Sequence, residues 1–118
     1  MEEAKNPVGN IFISHHAIAS ITYQSALESY GVVGLSAKNL AAGLAHILVK
    51  DPTLGVEVIF DGTKLKINLF IVIEYGTRIS SVASSVADNV RFQVEKATGL
   101  PVDSVNVHVR GLRISYTD

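Results

Sequence analysis

The chain has 118 residues, ten basic and eleven acidic side chains, a formal charge of −1 and 47% hydrophobic residues. That length suits one domain that buries roughly two-thirds of its unfolded surface, and a near-neutral charge gives no bulk field to draw nucleic acid or an anionic membrane. Cysteine is absent, which excludes disulfides, thiolate catalysis and cysteine-based zinc sites.

Met1–Asn6 reads as a loose tail and residues 7–118 as a single domain. The opening MEEAKNPVGN is acidic and polar, unlike a signal peptide. The longest apolar run, INLFIVIEYG, is far short of the about 20 residues a membrane helix needs. Ile11–Ser14 reads as a short strand ending on a capping serine. A helix follows from His15, with Ile18, Ile21, Thr22, Ser25 and Ala26 on one broad face. Tyr30-Gly31 ends it, Gly31 being free to turn left-handed. VVGLSA is extended. Lys38–Lys50 reads as a second helix, with Leu40, Leu44, Ile47 and Leu48 at helical spacing and Pro52 stopping it.

Asp61-Gly62 between two extended runs signals a hairpin. In its second strand Leu65, Ile67, Leu69, Ile71 and Ile73 share one face. Lys66, Asn68 and Glu74 share the other with Phe70 and Val72. TRISSVASSVADNVRFQVEKATG is the longest helix, with a stripe of Ile79, Val82, Val86, Val90 and Val94. Gly99 and Pro101 end it. In the last strand Val105, Val107 and Val109 alternate with Asn106, His108 and Arg110, and the apolar phase slips after Gly111, as a β-bulge would make it. The order β-α-β-α-β-β-α-β predicts an α+β two-layer sandwich, a mixed β-sheet with helices packed mainly on one face.

Several motifs invite chemistry. Gly31-Val32-Val33-Gly34 has the spacing of the phosphate-clamping loop of a KH-type RNA-binding domain. Its middle residues are apolar and only Lys38 is basic nearby, so a helix stop and a strand explain it better. His15 and His16 are adjacent, diverge by about 100° on a helix and do not face each other, and His46 and His108 lie elsewhere with no metal-ligand spacing. Ser80, Ser81, Ser84 and Ser85 read as the solvent side of the long helix, with no base to activate them. No carboxylate pair sits inside an apolar run. The residues therefore predict no enzyme activity, no cofactor and no metal. The informative feature is the outer sheet face. Lys66, Asn68, Asn106, His108 and Arg110 form a polar rim around Phe70 and Val72, a pattern shared by contact surfaces and by ordinary solvated faces. Two occupants suit that apolar centre: a second copy of the chain, or the Lys38–Lys50 helix folded over it.

The blocks GNIFIS, YGVVGLSAKN, IVIEYG and TGLPVDSVNVHVRG run in order from about Gly9 to Ile114 and resemble the alkaline shock protein family of small bacterial envelope-stress proteins. The YGVVGLSAKN form is most similar to a short branch encoded near kinases of the dihydroxyacetone/fatty-acid type. The resemblance implies a non-catalytic, self-associating scaffold linked to envelope stress or envelope lipid homeostasis. It also implies a cytoplasmic homo-oligomer that reaches the membrane through a membrane-anchored protein partner. The short apolar run predicts no direct membrane insertion, and the near-neutral charge and apolar Gly31–Gly34 loop predict no nucleic-acid binding.

Overall fold

The structure, a computed structural model, describes residues 14–37 and 48–114. The strand expected at Ile11–Ser14 and most of the helix expected at Lys38–Lys50 lie outside them. Helix α1, His15–Leu27, starts where expected: the Ser14 hydroxyl accepts from the Ala17 amide at 3.0 Å. Its buried face is Ile18, Ala19, Thr22, Ser25 and Ala26. Strand β1, Val32–Ser36, follows Gly31, which takes a φ of 89°.

The next two elements correct the sequence reading. Leu48–Val49 forms strand β2, antiparallel to β1 with Leu35 opposite Val49, rather than the end of a helix. Here pairing outweighs helical spacing: Val49 accepts from the Tyr23 hydroxyl at 3.0 Å, and the Leu48 side chain fills the space over Gly34. Pro52 opens a helix instead of only stopping one. In α2, Pro52–Gly55, it occupies the first turn, where its missing N–H has no partner to lose. Asp51 caps that turn, and hydrogen bonds from the Thr53 hydroxyl and amide hold its carboxyl below the usual range.

The hairpin is present as β3, Val56–Phe60, and β4, Leu65–Glu74. Its loop is four residues, not a two-residue turn. Asp61 organises it by accepting from the Lys64 and Thr63 amides and the Thr63 hydroxyl, and these bonds hold its carboxyl at about 2. Helix α3, Ile79–Thr98, then crosses back to β5, Val102–Arg113, which lies parallel to β4. Gly99 closes α3 in the left-handed conformation.

Strand β4 is the centre of the sheet. β5 pairs along its whole length on one side, while β3 and β1 share the other side and β2 lies beyond β1. Leu65, Ile67, Leu69, Ile71 and Ile73 are fully buried against Ile18 and Ala26 of α1 and Val82, Val86, Val90 and Val94 of α3. Each such side chain contributes about 1.5–3 kcal/mol of apolar burial. The α3 stripe begins at Val82, because Ile79 is exposed. Asn89 links the two helices, donating to the Ser25 carbonyl at 2.9 Å and the Ser29 hydroxyl at 3.3 Å. This arrangement is the α+β sandwich expected, with its mixed sheet and helices on one face. The bulge also appears, one residue before the expected glycine. Val109 pairs with Ile71 and Gly111 with Val72, leaving Arg110 as the extra residue.

Candidate interaction face

The face of β4 turned away from the helices carries the even-numbered residues, and the register brings their neighbours beside them. Phe70 lies opposite His108, Asn68 opposite both Glu57 and Asn106, and Val72 opposite Gly34 and Gly111. The polar part is tied into a row across three strands. Asn106 donates to the Asn68 side-chain carbonyl at 2.9 Å, and Asn68 donates to the Glu57 carboxylate at 3.0 Å. Beside that row the His108 ring stacks on Phe70, with centroids 4.8 Å apart and planes 19° from parallel. The Arg110 guanidinium sits 4.6 Å from the same ring centroid. A cation over an aromatic face contributes about 0.5–2 kcal/mol, more as water is excluded.

All seven residues singled out from the sequence therefore lie on one face, but their exposure differs from the expectation. Lys66, Asn106 and His108 are exposed and Asn68 and Arg110 half-buried. Phe70 is only 8% exposed and Val72 fully buried. The expected apolar centre is thus covered within the chain, in part by His108 and Arg110 over Phe70. Alternation identifies the face but carries no information on which neighbours fold over it. Alternation already sets Arg110 on this face with Asn106 and His108; the bulge leaves Arg110 as the extra residue and brings Gly111 opposite Val72. Sequence reasoning missed Gly34 and Leu48. Leu48 read as helical, and nothing in its spacing signalled a strand lying over a glycine.

The other candidates are accounted for by packing. Gly31 precedes β1, and a Cβ there would come within 2.8 Å of a Val82 methyl. The Val32 amide donates to the Ser29 carbonyl at 3.3 Å, and Val32–Gly34 belong to a strand, not a phosphate-binding loop. His15 and His16 are exposed in the first turn of α1, and no cluster of three or more potential metal ligands occurs among the described residues. Ser80, Ser81, Ser84 and Ser85 lie on the exposed side of α3. An open cleft of about 300 Å³ lies between Tyr30, Thr77, Arg78, Ser81 and Ser85, and among the described residues its lining includes no carboxylate or histidine. No helix among the described residues is long and apolar enough to cross a membrane.

The alkaline shock protein 23 family, described as having a cell envelope-related function, matches residues 3–114. The chain belongs to this family. Among its relatives, the uncharacterised protein YloU of Bacillus subtilis is 39% identical over 115 residues, covering 96% of both chains. The uncharacterised protein Spy1614 of Streptococcus pyogenes is 31% identical over 108 residues, covering 90% of this chain and 89% of that one. A solved structure of MamM-CTD superposes with a TM-score of 0.52 at 12% identity, covering 83% of this chain and 98% of that one; the likeness is one of fold. Family membership thus agrees with the resemblance carried by the IVIEYG and TGLPVDSVNVHVRG blocks.

Proposed function

We propose that this alkaline shock family member is a non-catalytic, self-associating scaffold on the cytoplasmic side of the cell envelope, held there by a membrane-anchored protein. The observation that carries the reading is the outer sheet face. Its side chains are bonded to one another in advance, Asn106 to Asn68 to Glu57 and His108 and Arg110 to Phe70, so little rotamer freedom remains to be lost on contact. Arginine is also among the residue types that dominate contact energies, and Arg110 lies half-buried on this face.

Sedimentation equilibrium of the full chain tests the reading. The expected mass rises with concentration from one chain of 12.6 kDa towards twice that value or more. A single-chain mass at every concentration, at low and physiological salt, overturns it.

A further inference from the structure

The edge of the sheet at β5 carries more information than its face. Three backbone bonds fix which way β4 turns its groups. The Leu65 amide donates to the Pro101 carbonyl at 3.0 Å and the Tyr75 amide to the Arg113 carbonyl at 2.8 Å, both towards β5, whereas the Glu74 amide donates to Gly31 on the β1 side at 2.8 Å. The odd residues of β4 therefore face β5. In a parallel ladder one residue of each directly opposed pair turns its N–H and C=O to the partner strand and the other turns them away. Ile67 pairs with Val105, Leu69 with Val107 and Ile71 with Val109. Hence Val105, Val107 and Val109 turn both backbone groups outward, and among the described residues β5 pairs with β4 only.

Edge strands of monomeric proteins are ordinarily protected by lysine, proline or charge along their length. Here the six residues between the two register shifts, Ser104–Val109, contain none of these. Charge sits at the ends instead, with Asp103 at the start of β5 and Arg110 and Arg113 at its finish.

Resting on the self-association proposed above, we infer that β5 pairs antiparallel with β5 of a second copy about a two-fold axis at Val107, joining two sheets into one. This register is self-consistent. Val107 lies opposite Val107 and Val105 opposite Val109 of the second copy, so every outward N–H and C=O of the three valines meets a complement. The valine side chains, half-buried in the single chain, extend the helix-covered apolar layer across the axis. Ser104 falls opposite Arg110 and Asp103 opposite Gly111 of the second copy, so the acidic start of each β5, where Asp103 lies 3.9 Å from Lys64 of its own chain, meets the basic finish of the other. This end-to-end charge polarity favours antiparallel over parallel pairing, which would bring like ends together. The pairing also sets Asn106 beside His108 of the second copy, so the two outer faces become one continuous surface.

The experiment compares sedimentation equilibrium of the full chain with three variants. Val107→Pro removes an N–H that points away from β4, so the sheet keeps its own bonds while the ladder to a second copy is broken; association should weaken about tenfold or more. Arg110→Asp places like charges together and should weaken it by a similar factor. The double variant Asp103→Arg/Arg110→Asp should restore association, which the loss of the cation over Phe70 alone would not permit. If the wild type associates but Val107→Pro leaves the constant unchanged, or the charge swap fails to restore it, edge pairing is wrong while the scaffold reading stands. If Val107→Pro does not fold, the charge pair decides. A wild type that never associates removes both.

Discussion

Replacing Gly31 with valine is expected to destabilise the protein by about 2–5 kcal/mol. Two effects add. The backbone at Gly31 has a φ of 89°, a conformation that costs an L side chain about 1–2 kcal/mol. The new Cβ would also lie 2.8 Å from Val82 Cγ2 and 3.5 Å from its Cγ1, and Val82 is a nearly fully buried residue of the α1–α3–sheet core that cannot move aside freely. Overpacking of that kind costs about 1–3 kcal/mol. Gly76 separates the terms. Its φ is 96°, yet a Cβ there meets nothing within 4 Å, so Gly76→Ala should cost only the conformational part. Urea unfolding of Gly31→Ala, Gly31→Val and Gly76→Ala checks the ordering. Equal losses for Gly31→Ala and Gly76→Ala would mean that Gly31 is not packed on Val82, and the loop reading of Gly31–Gly34 would regain its footing.

Replacing Phe70 with alanine is expected to cost about 3 kcal/mol, near the low end for buried aromatic residues because the site lies at the surface and can partly collapse. The ring is 8% exposed and has His108 stacked on it and Arg110 beside it. Its removal leaves a gap and frees two side chains whose ordering it maintains. Val72→Thr nearly preserves volume but places a hydroxyl at a fully buried position, for an expected loss of about 1–3 kcal/mol if no partner reaches it. Were Phe70 instead the exposed centre of a contact between copies, the same changes would lower the associated mass and leave the urea midpoint nearly unchanged. Equilibrium unfolding monitored together with sedimentation distinguishes the two outcomes.

These contrasts mark what periodicity can and cannot convey. The alternation of Leu65 to Ile73 and the stripe from Val82 to Val94 identify the core surfaces, because burial on one side of a strand or helix imposes a fixed period. The Ser14 cap, the left-handed Gly99 and the bulge near Gly111 are equally legible, since each depends on local backbone chemistry. Leu48–Val49 is not. Two residues have no period, and their strand exists because β1 offers a partner and Gly34 leaves room for Leu48. Pro52 is ambiguous locally: it both disfavours a helix at the residue before it and suits the first turn of one after it. The candidate face was legible as a set of residues. The burial of Phe70 and Val72 was not, because it depends on the tertiary neighbours of β4. The edge of β5 needed the hydrogen-bond phase, which no sequence pattern carries.

The most direct test of the central claim, that the chain assembles by extending its own sheet, uses its lack of cysteine. A single Val107→Cys substitution places one thiol on the proposed two-fold axis, where Cα atoms of a hydrogen-bonded antiparallel pair lie about 5.5 Å apart, within disulfide range. Phe92→Cys, on the exposed side of α3, serves as the control for chance collision. Under mild oxidation at low protein concentration, Val107→Cys should convert almost completely to a disulfide-linked pair of chains while Phe92→Cys remains single. Equal cross-linking of the two variants, or none at Val107 in a protein that otherwise associates, would contradict the account.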